Sequence, residues 1–167
     1  MTRATKRILT ELAQFNSSPS GAIYVEELAP RSGSDFLQLS AILNGRCLPP
    51  ETGYTRGRWL LSIEVPATYP MVPPQIRFVT KICHANINWD NGEVCLDVLK
   101  ERWTPILGVV GALECVGRLL AEGATESPLG IEVASLERTG DMIGKRSLVE
   151  FWCDEERWDG GLEMHQI

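Results

Sequence analysis

The sequence predicts an α+β domain with helices packed against one side of a four-stranded antiparallel meander sheet. Three observations predict it. Helical periodicity flanks a series of strand-like runs, the runs follow one another without a helix between them, and turn-rich stretches separate them. A chain of 167 residues, 44% hydrophobic and 23% charged, can hide roughly 70% of the surface it exposes when unfolded, enough for one core. No internal repeat, low-complexity run or long linker divides it, so residues 1–167 read as one domain.

Each element has its own warrant. From Arg3 to Phe15, the residues Ile8, Leu12 and Phe15 recur at helical spacing, and Asn16-Ser17-Ser18-Pro19-Ser20-Gly21 ends the helix with turn residues. Arg3, Lys6 and Arg7 form a second, basic stripe at i, i+3 and i+4, which reads either as a solvated face or as a binding face. Strand-like runs follow at Ala22–Glu26, Phe36–Leu43 and Arg58–Val65. In the third, Trp59, Leu61, Ile63 and Val65 share one face, while Arg58, Ser62 and Glu64 share the other with Leu60. That period of two belongs to a half-buried antiparallel strand. Pro30-Arg31-Ser32-Gly33-Ser34 and Pro49-Pro50-Glu51-Thr52-Gly53 supply turns.

Tyr69-Pro70-Met71-Val72-Pro73-Pro74 is barred from helix and central strand, because proline lacks an amide donor and restricts its predecessor. Ile76–Val79 reads as a short fourth strand. Lys81–Leu107 is irregular for longer than most loops in a compact domain, a length that marks functional loops. Val109, Leu113, Val116 and Leu120 then line a helix that is apolar on several sides, expected to be buried. Helices near Ile131–Arg138 and Asp141–Glu155 close the chain, the second with Asp141 as N-cap and Leu148, Phe151 and Trp152 inward.

Charge and composition exclude several functions. A net charge of −6 argues against nucleic-acid binding through a basic surface. No apolar run approaches the roughly 18 residues of a membrane span, so direct membrane insertion is not expected. The N-terminal segment has charges on both sides of its short apolar part and no cleavage site, so it is not a secretory signal. The chain reads as soluble and intracellular. Cys47, Cys83, Cys95, Cys115 and Cys153 are scattered, odd in number and never in a C-x-x-C pair. They support neither a zinc ribbon nor a redox pair, and in a reducing compartment they are free thiols.

Chemistry concentrates between His84 and Leu99. Cys95 lies in an irregular region beside an Asn/Asp/Gly turn, with the amide of Asn86 near in sequence. A thiol can accept an acyl group as a thioester, and a preorganised N–H can stabilise the oxyanion formed when that group is attacked. His84 is the one candidate base, since His165 sits in the terminal tail. A Cys-His hydrolase is therefore poorly supported but open, and a metal site of Cys83, His84 and Cys95 lacks a fourth ligand.

Four motifs in order carry a family resemblance: Tyr69-Pro70-x-x-Pro73-Pro74, His84-Ala85-Asn86, Val94-Cys95-Leu96-Asp97-Val98-Leu99 and Trp103-Thr104-Pro105. With the buried helix and the segment Ser127-Pro128-Leu129 behind them, the chain resembles a ubiquitin-conjugating enzyme from its first helix to about Trp158. The resemblance implies the fold of that family and a transferase activity. Cys95 would take ubiquitin from the activating enzyme and pass it to an acceptor. Asn86 would stabilise the oxyanion or order the loop, and Asp97 would orient or deprotonate the acceptor. Ser127 would stand at the active-site gate, and His84 would hold loop backbone. No cofactor is implied, because ATP is consumed by the upstream activating enzyme. Arg3, Lys6 and Arg7 would face that enzyme, while Met71, Pro105 and Ile106 match the loops on which a RING-type ligase docks.

The chain departs from the family twice. Ala85 replaces the usual proline, removing a fixed φ from the turn that holds Asn86. The connection from Asn86 to Cys95, through Trp89-Asp90-Asn91-Gly92, is one residue longer than is common. That longer loop, the serine at Ser127 and the region Leu136–Asp141 are most like the peroxisomal branch of the family. Membership would imply ubiquitin transfer to the cycling peroxisomal import receptor, on cysteine or lysine. It would also imply a cytoplasmic enzyme held on the cytosolic face of the peroxisome by a membrane-anchored peroxin. General cytosolic substrates, another ubiquitin-like modifier, and an inactive ubiquitin-binding module remain as alternatives.

Overall fold

The structure is a computed structural model that describes residues 1–122 and 129–165, and of residues 96–98 the backbone alone. Helix α1 (Arg3–Ser17) starts where the Thr2 hydroxyl accepts the Thr5 N–H, and it buries Ala4, Ile8, Glu11, Leu12 and Phe15. Four strands follow as an antiparallel meander in the order β1-β2-β3-β4: Val25–Pro30, Gln38–Asn44, Arg58–Glu64 and Gln75–Phe78. Register sets the two faces. Leu39, Ala41 and Leu43 stand opposite Ile63, Leu61 and Trp59, and all six join the main core with α1 and α3 (Gly108–Glu122). Helix α3 buries Val109, Leu113, Val116 and Leu120, as its periodicity predicts.

Four expectations need correction. The first strand begins at Val25 rather than Ala22, because the Tyr24 and Val25 N–H groups are taken by the Glu114 carboxylate on α3 at 2.9 and 3.3 Å. Helix α2 (Leu96–Arg102) lies inside the region read as irregular; its seven residues are too few to show a period. On α5 (Met142–Glu155) Asp141 does cap the helix, but Phe151 faces outward at 54% exposure, while Val149 and Cys153 are buried. Helix α4 (Ile131–Thr139) precedes it, ending on Gly140.

The outer sheet face, expected to be half solvated, carries Ser40, Ile42 and Asn44 opposite Ser62, Leu60 and Arg58. The C-terminal segment lies across it, with Leu162 packing on Ile42 and Leu60 beside Trp158. Arg58 donates to the carbonyls of Trp158 and Gly160 and pairs with Glu26 at 2.8 Å. That hydrogen bond holds the Glu26 carboxyl below its ordinary range.

Candidate active site

The site is built on a hairpin that runs from His84 to Cys95. His84 is buried, and both ring nitrogens are engaged. Nδ1 accepts the Asn86 N–H at 3.0 Å and Nε2 donates to the Leu119 carbonyl at 3.2 Å. The Tyr54 ring lies 5.9 Å away, and its hydroxyl donates to the Cys83 carbonyl at 2.6 Å. Burial pushes the His84 pKa down to about 4. A neutral ring with no free nitrogen cannot take a proton from Cys95, which removes the Cys-His hydrolase reading.

Ala85 is fully buried against Val133 and Ala134, and its carbonyl accepts the N–H groups of Leu129 and Gly130. Hydrogen bonds thus hold the turn that lacks the proline. The longer connection is likewise ordered. Asn88 Oδ1 accepts from the amides of Asp90 and Asn91, and Asn91 Oδ1 accepts from Glu93. Gly92, at φ 71°, lets the chain pass against the Phe78 carbonyl. Below this turn Ile87 pairs with Val94, and the Cys95 N–H donates to the Asn86 carbonyl at 2.9 Å. The extra residue is absorbed in the turn, so the backbones of Asn86 and Cys95 stay hydrogen-bonded neighbours.

Cys95 ends this hairpin and starts α2 as its N-cap residue; it is 8% exposed. Accessibility alone would have chosen Cys47, the exposed thiol. Burial pushes the Cys83 and Cys153 thiols up to about 12, which keeps both protonated near neutral pH. Asn86 is fully buried. Ser127 and the Asp97 side chain lie outside the described residues. Among the described residues no group of three or more His, Cys, Asp or Glu converges as a metal site. A cavity of about 340 Å³ borders the hairpin, between Trp89 and Asn88 on one side and Ile131, Val133 and Trp152 on the other.

Of the residues expected to face partners, Arg7 and Pro105 are joined directly. Arg3 and Lys6 are exposed on α1. Arg7 is not a free charge: Nε donates to Glu11 at 2.6 Å and a terminal nitrogen donates to the Pro105 carbonyl at 2.6 Å. Met71 and Ile106 project at 75% and 92% exposure, and Pro105 is exposed beside Ile106. Trp103, donating Nε1 to the Pro70 carbonyl at 3.0 Å, joins the two loops. Sequence reading missed Glu11. Its signal was an acid within the apolar stripe of Ile8, Leu12 and Phe15.

Comparison with known proteins matches residues 7–146 to the family model described as ubiquitin-conjugating enzyme. The chain is 42% identical over 159 residues to the ubiquitin-conjugating enzyme E2 PEX4 of Gibberella zeae, covering 94% of this chain and 91% of that one. It is 38% identical over 149 residues to the ubiquitin-conjugating enzyme E2 16 of Schizosaccharomyces pombe, covering 89% and 90%. Its fold superposes on the H. polymorpha ubiquitin-conjugating enzyme Pex4p, solved in complex with the soluble domain of Pex22p. That TM-score is 0.84 at 26% identity, over 94% of this chain and 100% of that one.

Proposed function

We propose, for a chain that belongs to the ubiquitin-conjugating enzyme family, that Cys95 is the residue on which ubiquitin travels as a thioester. The observation that carries this is the hydrogen bond from the Cys95 N–H to the Asn86 carbonyl, which holds the backbones of two buried residues, the thiol-bearing Cys95 and Asn86, side by side at the start of α2. In this reading the Cys95 thiolate attacks the carbonyl of the thioester that joins ubiquitin to the activating enzyme. The C–S bond to the activating enzyme breaks, its thiolate leaves, and a new thioester forms on Cys95. An acceptor nucleophile then attacks that carbonyl, and the oxyanion collapses with release of the Cys95 thiolate. Asn86 is assigned to the oxyanion and His84 to holding the hairpin. With no histidine base available, much of the rate comes from holding the two reactants together.

Arg3 and Lys6, with Arg7 beside them, form the face for the activating enzyme, and Met71, Pro105 and Ile106 the face for a RING-type ligase. ATP is spent upstream, and the chain itself uses no cofactor. The similarity to relatives named for peroxin 4 supports a finer assignment, in which the acceptor is the cycling peroxisomal import receptor. Among the described residues no helix is long and apolar enough to cross a membrane. A membrane-anchored peroxin of the Pex22p kind supplies attachment to the cytosolic face of the peroxisome in this reading.

Incubation with activating enzyme, ATP and ubiquitin, followed by a non-reducing gel, tests the chemistry. Wild type should form a reductant-labile adduct, and Cys95→Ser a stable oxyester or none; a labile adduct on Cys95→Ser would end the assignment. The cellular role is tested in a fungus lacking its own peroxin 4. The wild-type gene should restore matrix-protein import, and failure to do so by a chargeable enzyme would refute the peroxisomal reading.

A further inference from the structure

Glu11 interrupts the apolar stripe of α1 and is 8% exposed. A buried carboxylate is tolerated when hydrogen bonds satisfy its oxygens. Here Oε1 accepts from Arg7 Nε at 2.6 Å and from the Tyr69 hydroxyl at 2.7 Å, while Oε2 accepts the Val109 N–H at 2.8 Å. These donors stand on α1, on the loop that carries Met71, and on the first turn of α3 just after Ile106. Arg7 extends the set to the Pro105 carbonyl at 2.6 Å. Gly108, at φ 66°, is where the chain passes the carboxylate; a Cβ there would meet Oε2 at 2.7 Å. Both loops with exposed apolar tips are therefore rooted on one carboxyl group.

We propose that Glu11 and Arg7 form a polar clip that sets the spacing of the Met71 and Ile106 loops, with Glu11 as a positioning residue and Arg7 as the releasable arm. The proposal rests on the reading of those loops as a docking site. Arg7 is releasable because its side chain is 36% exposed, against 10% for Glu11. An acidic partner drawn to α1 by Arg3 and Lys6 competes with Glu11 and Pro105 for the same guanidinium. Capture of Arg7 leaves Tyr69 and Val109 on Glu11 but frees the Pro105 carbonyl, so the Ile106 loop shifts and the Met71 loop does not. An acidic partner on α1 and an apolar partner on the loops are thereby coupled, reciprocally, through named bonds.

Two mild variants separate the arms. In Glu11→Gln the amide oxygen can keep the Val109 N–H and the amide NH₂ can donate to the Tyr69 oxygen, but Arg7 Nε then faces another donor. Arg7→Lys keeps the charge and loses the fork that reaches two acceptors. The readouts are the concentration of a RING domain giving half-maximal acceleration of ubiquitin discharge from pre-charged enzyme, and amide exchange at Leu107, whose N–H donates to the Thr104 carbonyl at 3.0 Å. Each variant should raise that concentration about tenfold, the double variant should be no worse than either, and exchange at Leu107 should quicken in all three. Additive effects, or unchanged exchange at Leu107, would overturn the clip. Ile106→Ala keeps the two readings apart. If it leaves RING acceleration intact, the docking reading fails, and exchange at Leu107 in the other variants then decides the clip by itself.

Discussion

Acidifying the protein tests whether His84 is a fixed strut or a proton carrier. In the folded chain burial holds its pKa at about 4, against an ordinary 6.5. The folded pKa is depressed, so the stability contributed by the neutral ring is complete above about 6.5 and is lost as pH falls toward about 4. The two titration curves put the loss at about 2 kcal/mol by pH 5 and about 3 kcal/mol by pH 4. His84→Asn provides the reference: it cannot titrate, and the orphaned Leu119 carbonyl costs it about 1–3 kcal/mol at every pH. Urea unfolding of both proteins across this range isolates His84, because all other titrating groups are shared and cancel. Wild type should be the more stable near pH 7, and its advantage should vanish near pH 5. Parallel stability curves, or a ring that titrates near neutrality by NMR, would refute the burial argument and reopen His84 as a base.

Asn86→Ala should leave a folded protein that charges normally but discharges to an amine roughly 10²-fold more slowly; single-turnover rates for the two steps decide it, and equal losses in both would make Asn86 structural. Reversing charge at Arg3 and Lys6 should slow charging through association and make it less sensitive to salt. Matching, salt-independent rates would show a solvated helix face. Cys83→Ser buries a hydroxyl where burial already disfavours polarity, so it should lose about 1–3 kcal/mol in urea unfolding yet still form the thioester. Loss of the thioester in a folded Cys83→Ser protein would move the chemistry away from Cys95.

Local pattern carried much of the architecture. The alternation from Trp59 to Val65 reported a strand with one core face, and the spacing from Val109 to Leu120 reported a buried helix, because both periods follow from backbone geometry. The capping role of Asp141 is likewise local chemistry. Motifs carry the proposal of Cys95, and the structure places that residue at the end of the hairpin that starts at His84. Short or long-range features left weaker marks. Helix α2 is only two turns, and the start of β1 was decided by Glu114 from another element.

Other features were decided only when the chain folded. The sequence by itself determined an α+β meander, a thiol beside an asparagine, and a basic stripe on the first helix. Tertiary structure decided what each polar group faces. It closed both nitrogens of His84, joined the Asn86 and Cys95 backbones across a lengthened turn, and drew Arg7 from the stripe onto Glu11. It also covered the outer face of the sheet with Leu162 and Trp158. The physical reason is that burial and hydrogen-bond partners come from residues far apart in sequence: Glu11 meets Val109, and Arg58 meets Gly160. Periodicity records which face is apolar, but not which distant donor satisfies a charge placed within it.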